Sequence, residues 1–358
     1  MAANNKIALT NVRVFDGEKI ISPTTVIIDG ELIGSDPTGA VEQDCEGAFL
    51  LPGLIDAHIH LCGIEDLKNL SRYGVTTGLD MATWPLELLS SLRNQKGMTD
   101  IQSSGIPASA AGSSHSSFIP KECLVENAKE AEQFVLERIA EGSDYIKVVC
   151  DIPGPDQATV DALTAKAHEN SKMVIAHSSS VASFEMAQIS KVDIITHIPI
   201  DNVLNEEVVD RMLADKCISI PTLTMMEGIV KLRGRGKYEF ARDSVTALYK
   251  AGVTIVAGTD ANSNPSTPFN VQHGESLHHE LELLVEAGLS NLDALKAATS
   301  LAADCFDLKD RGVIEIGRRA DLILIVDNPL ENIKATRSLK RVWCAGVEIN
   351  HIESGNNI

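Results

Sequence analysis

Residues 53–60 read GLIDAHIH, an apolar run that closes on two histidines one residue apart behind an aspartate. In a strand, Asp56, His58 and His60 share a parity and point to one side. Such a pair can be packing at the end of a core strand. It can also be two neutral imidazole ligands for one divalent cation, and an ion needs further donors elsewhere in the chain. Candidates recur at the ends of other apolar runs: Lys147 in YIKVV, His177 in MVIAHS, His197 in IITHI and Asp260 in TIVAGTDA. Lys147 lies between Ile146 and Val148, in a run that reads as buried. A buried lysine is costly unless it is paired or modified.

Imidazole and carboxylate donors suit Zn²⁺, with Mn²⁺, Co²⁺ and Fe²⁺ as competitors. A protonated lysine cannot ligate a cation. If Lys147 reacts with CO₂, its ammonium becomes a carbamate, an anionic two-oxygen group able to bridge two metal ions. Two such ions can share a hydroxide and lower its pKa towards neutrality. Asp260 can then take up the proton of the attacking hydroxide and pass it to a leaving group. Asp56 is expected to support the neighbouring ligands or the turn rather than to bind metal.

The elements that must position these residues follow from the apolar pattern. Eight strand candidates run along the middle of the chain: 53–61, 75–82, 101–110, 145–149, 173–178, 194–198, 219–224 and 254–261. Amphipathic helical stretches separate them, such as ENAKEAEQFVLERIAEG, TVDALTAKAHENS and NEEVVDRMLADK. Apolar strands alternating with helices indicate a parallel sheet covered by helices. Eight such units in roughly 250 residues match a (β/α)8 TIM barrel, whose active site lies at the carboxyl ends of the strands. The candidate ligands fall at those ends. Residues 6–51 and the later ADLILIVDNP and KRVWCAGVEIN are β-rich with Gly, Asp and Pro turns, so both chain ends are expected to pair in one small domain. The predicted fold is therefore α/β, with residues 1–52 and 306–358 sharing a small β-sandwich and residues 53–305 forming the barrel. The last residues, HIESGNNI, read as a loose tail.

Composition narrows the partners. Fifty Asp and Glu against 31 Lys and Arg give a net charge of −19, which argues against nucleic acid and anionic membrane. The seven cysteines are scattered with no CxxC pair, as in a reducing compartment. The amino terminus lacks the segments of a signal peptide, and no apolar run reaches membrane-spanning length. The expectation is a soluble, cytoplasmic protein acting on a small molecule, with homo-oligomerisation through outer helices open.

LPGLIDAHIH, the YIKV lysine, IAHS, ITHIP and AGTDA together resemble the metal-dependent amidohydrolase superfamily over nearly the whole chain. NVRVFDG near the start and GVIEIGRRADLILIVDNPL near the end are similar to that family's split β-sandwich. His177 follows Lys147 by 30 residues and His197 follows His177 by 20, which resembles the prolidase-like group of imidodipeptidases. Family deaminases lack the bridging lysine and place a Glu near the strand-five histidine. No such arrangement is evident in VIAHSSSVASFEMAQ. The resemblance implies that His58, His60, Lys147, His177, His197 and Asp260 hold two divalent ions, Zn²⁺ by expectation, bridged by carboxylated Lys147. His58 and His60 would ligate the more buried ion. The chain departs from the group where VVCDIPGPD replaces a Gly-rich stretch after Lys147, and no Arg or Tyr stands out as a clamp for a peptide terminus.

In the loop AGSSHSSFIPKE, His115 is placed to face substrate, as is His273 in ANSNPSTPFNVQHGES. Thr222, Thr224, Met225 and Met226 are candidates for the pocket floor, whereas His168, His278, His279 and His351 read as surface or packing residues. The expected activity is hydrolysis of a C–N bond in an amide or dipeptide-like substrate. A lactonase or phosphotriesterase would use the same centre, and a non-catalytic scaffold is the remote alternative.

Overall fold

The computed structural model describes residues 6–234, 236–265, 267 and 269–349. The tail 351–358, with His351, lies outside the described residues. In chain order the strands are β1 (Lys6–Val14), β2 (Thr24–Asp29), β3 (Leu32–Gly34), β4 (Val41–Asp44), β5 (Phe49–Pro52), β6 (Leu54–Ile59), β7 (Val75–Asp80), β8 (Asp100–Ser103), β9 (Ile146–Val149), β10 (Val174–His177), β11 (Ile194–Thr196), β12 (Ile218–Ile220), β13 (Leu322–Ile325), β14 (Leu339–Cys344) and β15 (Val347–Ile349). The α-helices are α1 (Ile64–Arg72), α2 (Leu86–Leu92), α3 (Ala128–Ala140), α4 (Gln157–Glu169), α5 (Val181–Ile189), α6 (Glu206–Asp215), α7 (Leu223–Arg233), α8 (Tyr238–Ala251), α9 (Glu275–Glu286), α10 (Asn291–Ala297) and α11 (Ser300–Cys305).

Both chain ends enter one eight-stranded sheet, ordered β15-β14-β13-β5-β1-β2-β3 with β4 beside β1. Its alternating apolar residues bury one face in a core of their own that includes Leu9, Val12, Ile28, Leu50, Leu322 and Trp343. Leu9 and Val12 are three apart, yet both reach that core. The β1–β2 register shifts between them, and Asn11 adopts a φ of 52° there.

The middle of the chain forms two wholly parallel sheets, β6-β7-β8 and β12-β11-β10-β9. Isolated parallel bridges Ala108–Val148, Ser219–Ile255 and Ile59–Ala261 link the two sheets to each other and to residues 254–261. Parallel neighbours need crossover connections, and helices such as α1, α4 and α5 supply them. Asn127, Asp156, Asn205 and Ser290 cap α3, α4, α6 and α10 by accepting hydrogen bonds from backbone N–H groups of the first turn. Strands β6, β7 and β9 are buried along their whole length, as parallel strands covered on both faces are.

Three predicted strands differ from the structure. Residues 254–261 form bridges at Ile255 and Ala261 rather than a strand. The backbone runs so close to its neighbours that a Cβ on Gly258 would lie 2.5 Å from Ile220 Cγ2 and 2.9 Å from the His58 nitrogen. Asp260 then leaves the extended region at a φ of 61°. The run 101–110 keeps only β8 and turns at Gly105, where φ is 65°. The run 219–224 stops at Ile220, and α7 begins at Leu223. Its start is fixed by Glu280, whose carboxylate accepts from Leu223 N at 2.8 Å and Thr224 N at 2.7 Å. Thr222 and Thr224 thus lie at a helix start, not on a strand.

Candidate metal centre

His58 stands on β6 and His60 one residue beyond it, their Nε2 atoms 3.3 Å apart. Asp260 Oδ1 lies 3.4 Å from His58 Nε2 and 2.9 Å from His60 Nε2. The His197 ring sits 4.9 Å from that of His58 and 4.4 Å from that of His177, and its Nδ1 is 3.9 Å from Asp260 Oδ2. Lys147, on β9, donates to Thr196 Oγ1 at 2.9 Å. All six residues line one cavity of about 810 Å³.

Hydrogen bonds behind these side chains hold them in place. Asp56 accepts from His58 N at 3.2 Å, Thr259 N at 3.0 Å and Thr259 Oγ1 at 2.7 Å, so it joins β6 to the turn that carries Asp260. Thr222 Oγ1 meets His197 Nδ1 at 2.8 Å, which leaves Nε2 as the other ring donor atom of His197. Asp80 accepts from Leu61 N, Thr83 Oγ1 and Ser103 Oγ beneath the loop that follows His60. His197 and Asp260 are held at left-handed φ of 69° and 61°. Such strain costs on the order of 1–3 kcal/mol per residue and collects at functional sites.

Burial sets the charges. It lowers His58 to about 3 and pushes His177 and His197 well below the usual histidine range, so these rings are neutral ligand bases at pH 7. Burial lowers Lys147 to about 7, so a neutral amine is present at physiological pH. Burial alone would raise Asp260, but His58, His60 and His197 around it hold the carboxyl well below its usual range. The donor set fits a divalent cation. Ring nitrogens and one carboxylate converge, with His58 and His60 facing each other Nε2 to Nε2 and Asp260 Oδ1 standing against both.

His115 also lines the cavity, with its ring 4.4 Å from that of His177. His273 does not line it. It is buried behind His60, with Nε2 2.9 Å from the His60 carbonyl oxygen and Nδ1 3.4 Å from Asp66 Oδ1. Asp66 in turn accepts from Cys62 N and Gly63 N, so the pair fixes the loop after His60 instead of reaching substrate. Met225 and Met226 line the cavity, as do Trp84, Phe118 and Phe269, with Arg233 at the end of α7. Sequence reasoning did not single out Asp151, which reads as a loop residue. Its Oδ2 is 3.3 Å from His115 Nδ1 and its Oδ1 is 3.6 Å from His177 Nε2. The one sequence signal for it was the departure from a Gly-rich stretch after Lys147.

Residues 49–349 match the model of the amidohydrolase family. Adenine deaminase 2 of Desulfotalea psychrophila is 26% identical over 375 residues, 96% of this chain, which spans 57% of that relative's length. Ochratoxinase of Aspergillus niger is 24% identical over 371 residues, covering 83% of this chain and 75% of its own. Among solved structures, a Xaa-Pro dipeptidase with bound methionine in the active site superposes with a TM-score of 0.81 at 21% identity, over 96% of this chain and 99% of that one. A prolidase complexed with N-methylphosphonate-L-proline gives 0.82 at 22% identity, over 97% and 100% of the two chains.

Proposed function

The chain belongs to the amidohydrolase family, and from that premise we propose that it hydrolyses the C–N bond of an amide or dipeptide-like small molecule at a binuclear metal centre. The observation that carries this reading is the convergence of His58, His60, Lys147, His177, His197 and Asp260 on one cavity. His58, His60, His177, His197 and Asp260, with a carbamate on Lys147, would hold two divalent cations, Zn²⁺ by donor type. Bound there, the pair supplies a hydroxide at neutral pH and polarises the scissile carbonyl.

The chain's own residues do the rest. The neutral amine of Lys147 forms the carbamate by attack on CO₂ carbon, with one proton released. Asp260, ionised between His58 and His60, accepts the proton of the attacking hydroxide and delivers it to the leaving nitrogen as the C–N bond breaks. The apolar wall of Trp84, Phe118, Met226 and Phe269 takes the hydrocarbon part of the substrate. The dipeptidase and prolidase among the structural neighbours support a dipeptide-like substrate. In this reading residues 53–305 close as a (β/α)8 barrel, with residues 254–261 in the eighth strand position. Residues 1–52 and 306–358 then make the β-sandwich.

The test is metal analysis of the purified chain together with a turnover panel. The panel holds Xaa-Pro dipeptides, N-acyl amino acids, aryl amides, adenine, lactones and phosphotriesters. About two zinc equivalents, with chelator-sensitive turnover of an amide, are expected. Turnover confined to lactones or phosphotriesters would move the reading to C–O or P–O bonds. Metal-free protein inert after zinc addition would leave a scaffold.

A further inference from the structure

Asp151 lies four residues beyond Lys147, in the loop that leaves β9, and it is wired in two directions. Its Oδ2 accepts from Ser113 Oγ at 2.7 Å, Ser114 N at 3.0 Å and Ser114 Oγ at 2.6 Å, and stands 3.3 Å from His115 Nδ1. Its Oδ1 faces His177 Nε2 at 3.6 Å. The first set belongs to the loop 111–119, of which Ser114, His115, Ser117, Phe118 and Ile119 line the cavity. The second is a residue of the candidate metal centre. Both arms therefore meet on one carboxylate, whose side chain is 13% exposed.

We propose that Asp151 is a positioning residue that separately anchors the substrate-facing loop 111–119, through Oδ2, and the metal ligand His177, through Oδ1. A carboxylate beside one ring nitrogen of a ligand histidine fixes the proton there, orients the ring and leaves the other nitrogen basic for the metal. With Nε2 of His177 turned to Asp151, Nδ1 is the atom left for an ion. The same carboxylate holds down the loop, so the wall that meets substrate and the ligand that meets metal share one anchor. This inference rests on the metal reading above.

The test uses the full chain as wild type, Asp151→Ala, Asp151→Asn and the double variant Ser113→Ala/Ser114→Ala. Zinc affinity is read by competition with a chromophoric chelator, and loop order by hydrogen–deuterium exchange over 111–119. Asp151→Ala should bind zinc ~10- to 100-fold more weakly and lose protection in the loop. Asp151→Asn keeps an acceptor oxygen for the serines but sets an amide against His177, so zinc weakens while the loop stays protected. The serine variant should do the reverse, with looser exchange and zinc affinity within about twofold of wild type. Should Asp151→Ala fail to fold, the Asn and serine variants decide. Zinc affinity equal to wild type in the Asp151 variants overturns the proposal alone, as does a serine variant that loses zinc equally. A wild type that binds no zinc removes the metal reading and this one together.

Discussion

Two polar clusters lie at opposite ends of the parallel strands, one at the amino ends of β7 and β8 and one at the carboxyl ends of β6, β10 and β11, and they are balanced in opposite ways. Near the amino ends of β7 and β8, Arg311 reaches Thr77 Oγ1 at 3.0 Å and Asp100 Oδ2 at 2.8 Å. Its other nitrogens bond Asp310 at 2.8 and 3.0 Å, and Asp321 lies 4.0 Å away. Donors there meet acceptors, and positive charge meets negative. At the carboxyl ends, His58, His60, His177, His197 and Asp260 bring ring nitrogens and a carboxylate to one space. The first cluster is complete as it stands. The second offers the donor set that a divalent cation would complete. Neighbouring parallel strands thus place a neutralised ion cluster at their amino ends and the candidate metal centre at their carboxyl ends.

The sharpest way to break that contrast is to replace one residue at each end. Asp260→Asn keeps the shape and a residue type that tolerates the left-handed φ of 61°, but it removes the proposed proton acceptor. Turnover of the best amide should fall by roughly 10³- to 10⁴-fold, with the chain still folding cooperatively. A variant that keeps a tenth of wild-type kcat would show that Asp260 does not carry the proton.

Arg311→Met should do the opposite. It strands three carboxylates around a buried position, and breaking such a network costs about 3–5 kcal/mol. Urea unfolding reads that loss, while kcat per folded molecule should stay within about twofold. A kcat loss without a stability loss would mean that the two ends are not separate.

How far the sequence reveals this division depends on whether the signal is local. The strand-end histidines, Lys147 and Asp260 announce themselves because a polar residue inside a run such as YIKVV or IITHI is costly without a role. The joining of both chain ends is legible from strand texture. Asp151, Asp66 with His273, and the Glu280 cap of α7 are not legible, because each acts on backbone or side chains tens to hundreds of residues away. Glu280 reads as one more acid on an amphipathic helix, yet it is buried and fixes where α7 begins, 57 residues earlier. The cavity wall is equally hidden. Phe118 and Trp84 come from loops whose paths follow from tertiary contacts.

A third prediction compares two buried histidines. His278 has both ring nitrogens engaged, Nδ1 with Thr336 Oγ1 and Nε2 with the Tyr73 carbonyl oxygen, each at 3.0 Å. Burial, with Arg337 nearby, lowers it to about 4. Between pH 6.5 and 4 the unfolded chain takes up a proton that the folded chain refuses, so stability falls as pH drops through that window and levels off below it. The contribution is about 3 kcal/mol at most. Unfolding free energies from pH 7 to 4 should show that slope, and His278→Asn should reduce it by one proton's share, because the buried His58, His177, His197 and His273 contribute to it as well. An unchanged slope in the variant would place the titration elsewhere.

The smallest expected effect tests the cavity wall. Phe118 is 40% exposed although it is a large apolar side chain, and it stands in the loop that lines the cavity. A side chain so open adds little to the core, so Phe118→Ala should change stability by no more than about 0.5 kcal/mol. Its apolar surface matters when substrate covers it. Loss of a contact that is equal in ground and transition states raises KM and spares kcat. For an amide with a bulky apolar group the expected rise is about three- to tenfold, near 1 kcal/mol of lost burial, and for a small acyl group it should vanish. Steady-state kinetics on the two substrates separates the outcomes. A fall in kcat with KM unchanged would make the loop part of the chemistry, and the carboxyl end would then not divide into a wall that binds and a ligand set that reacts.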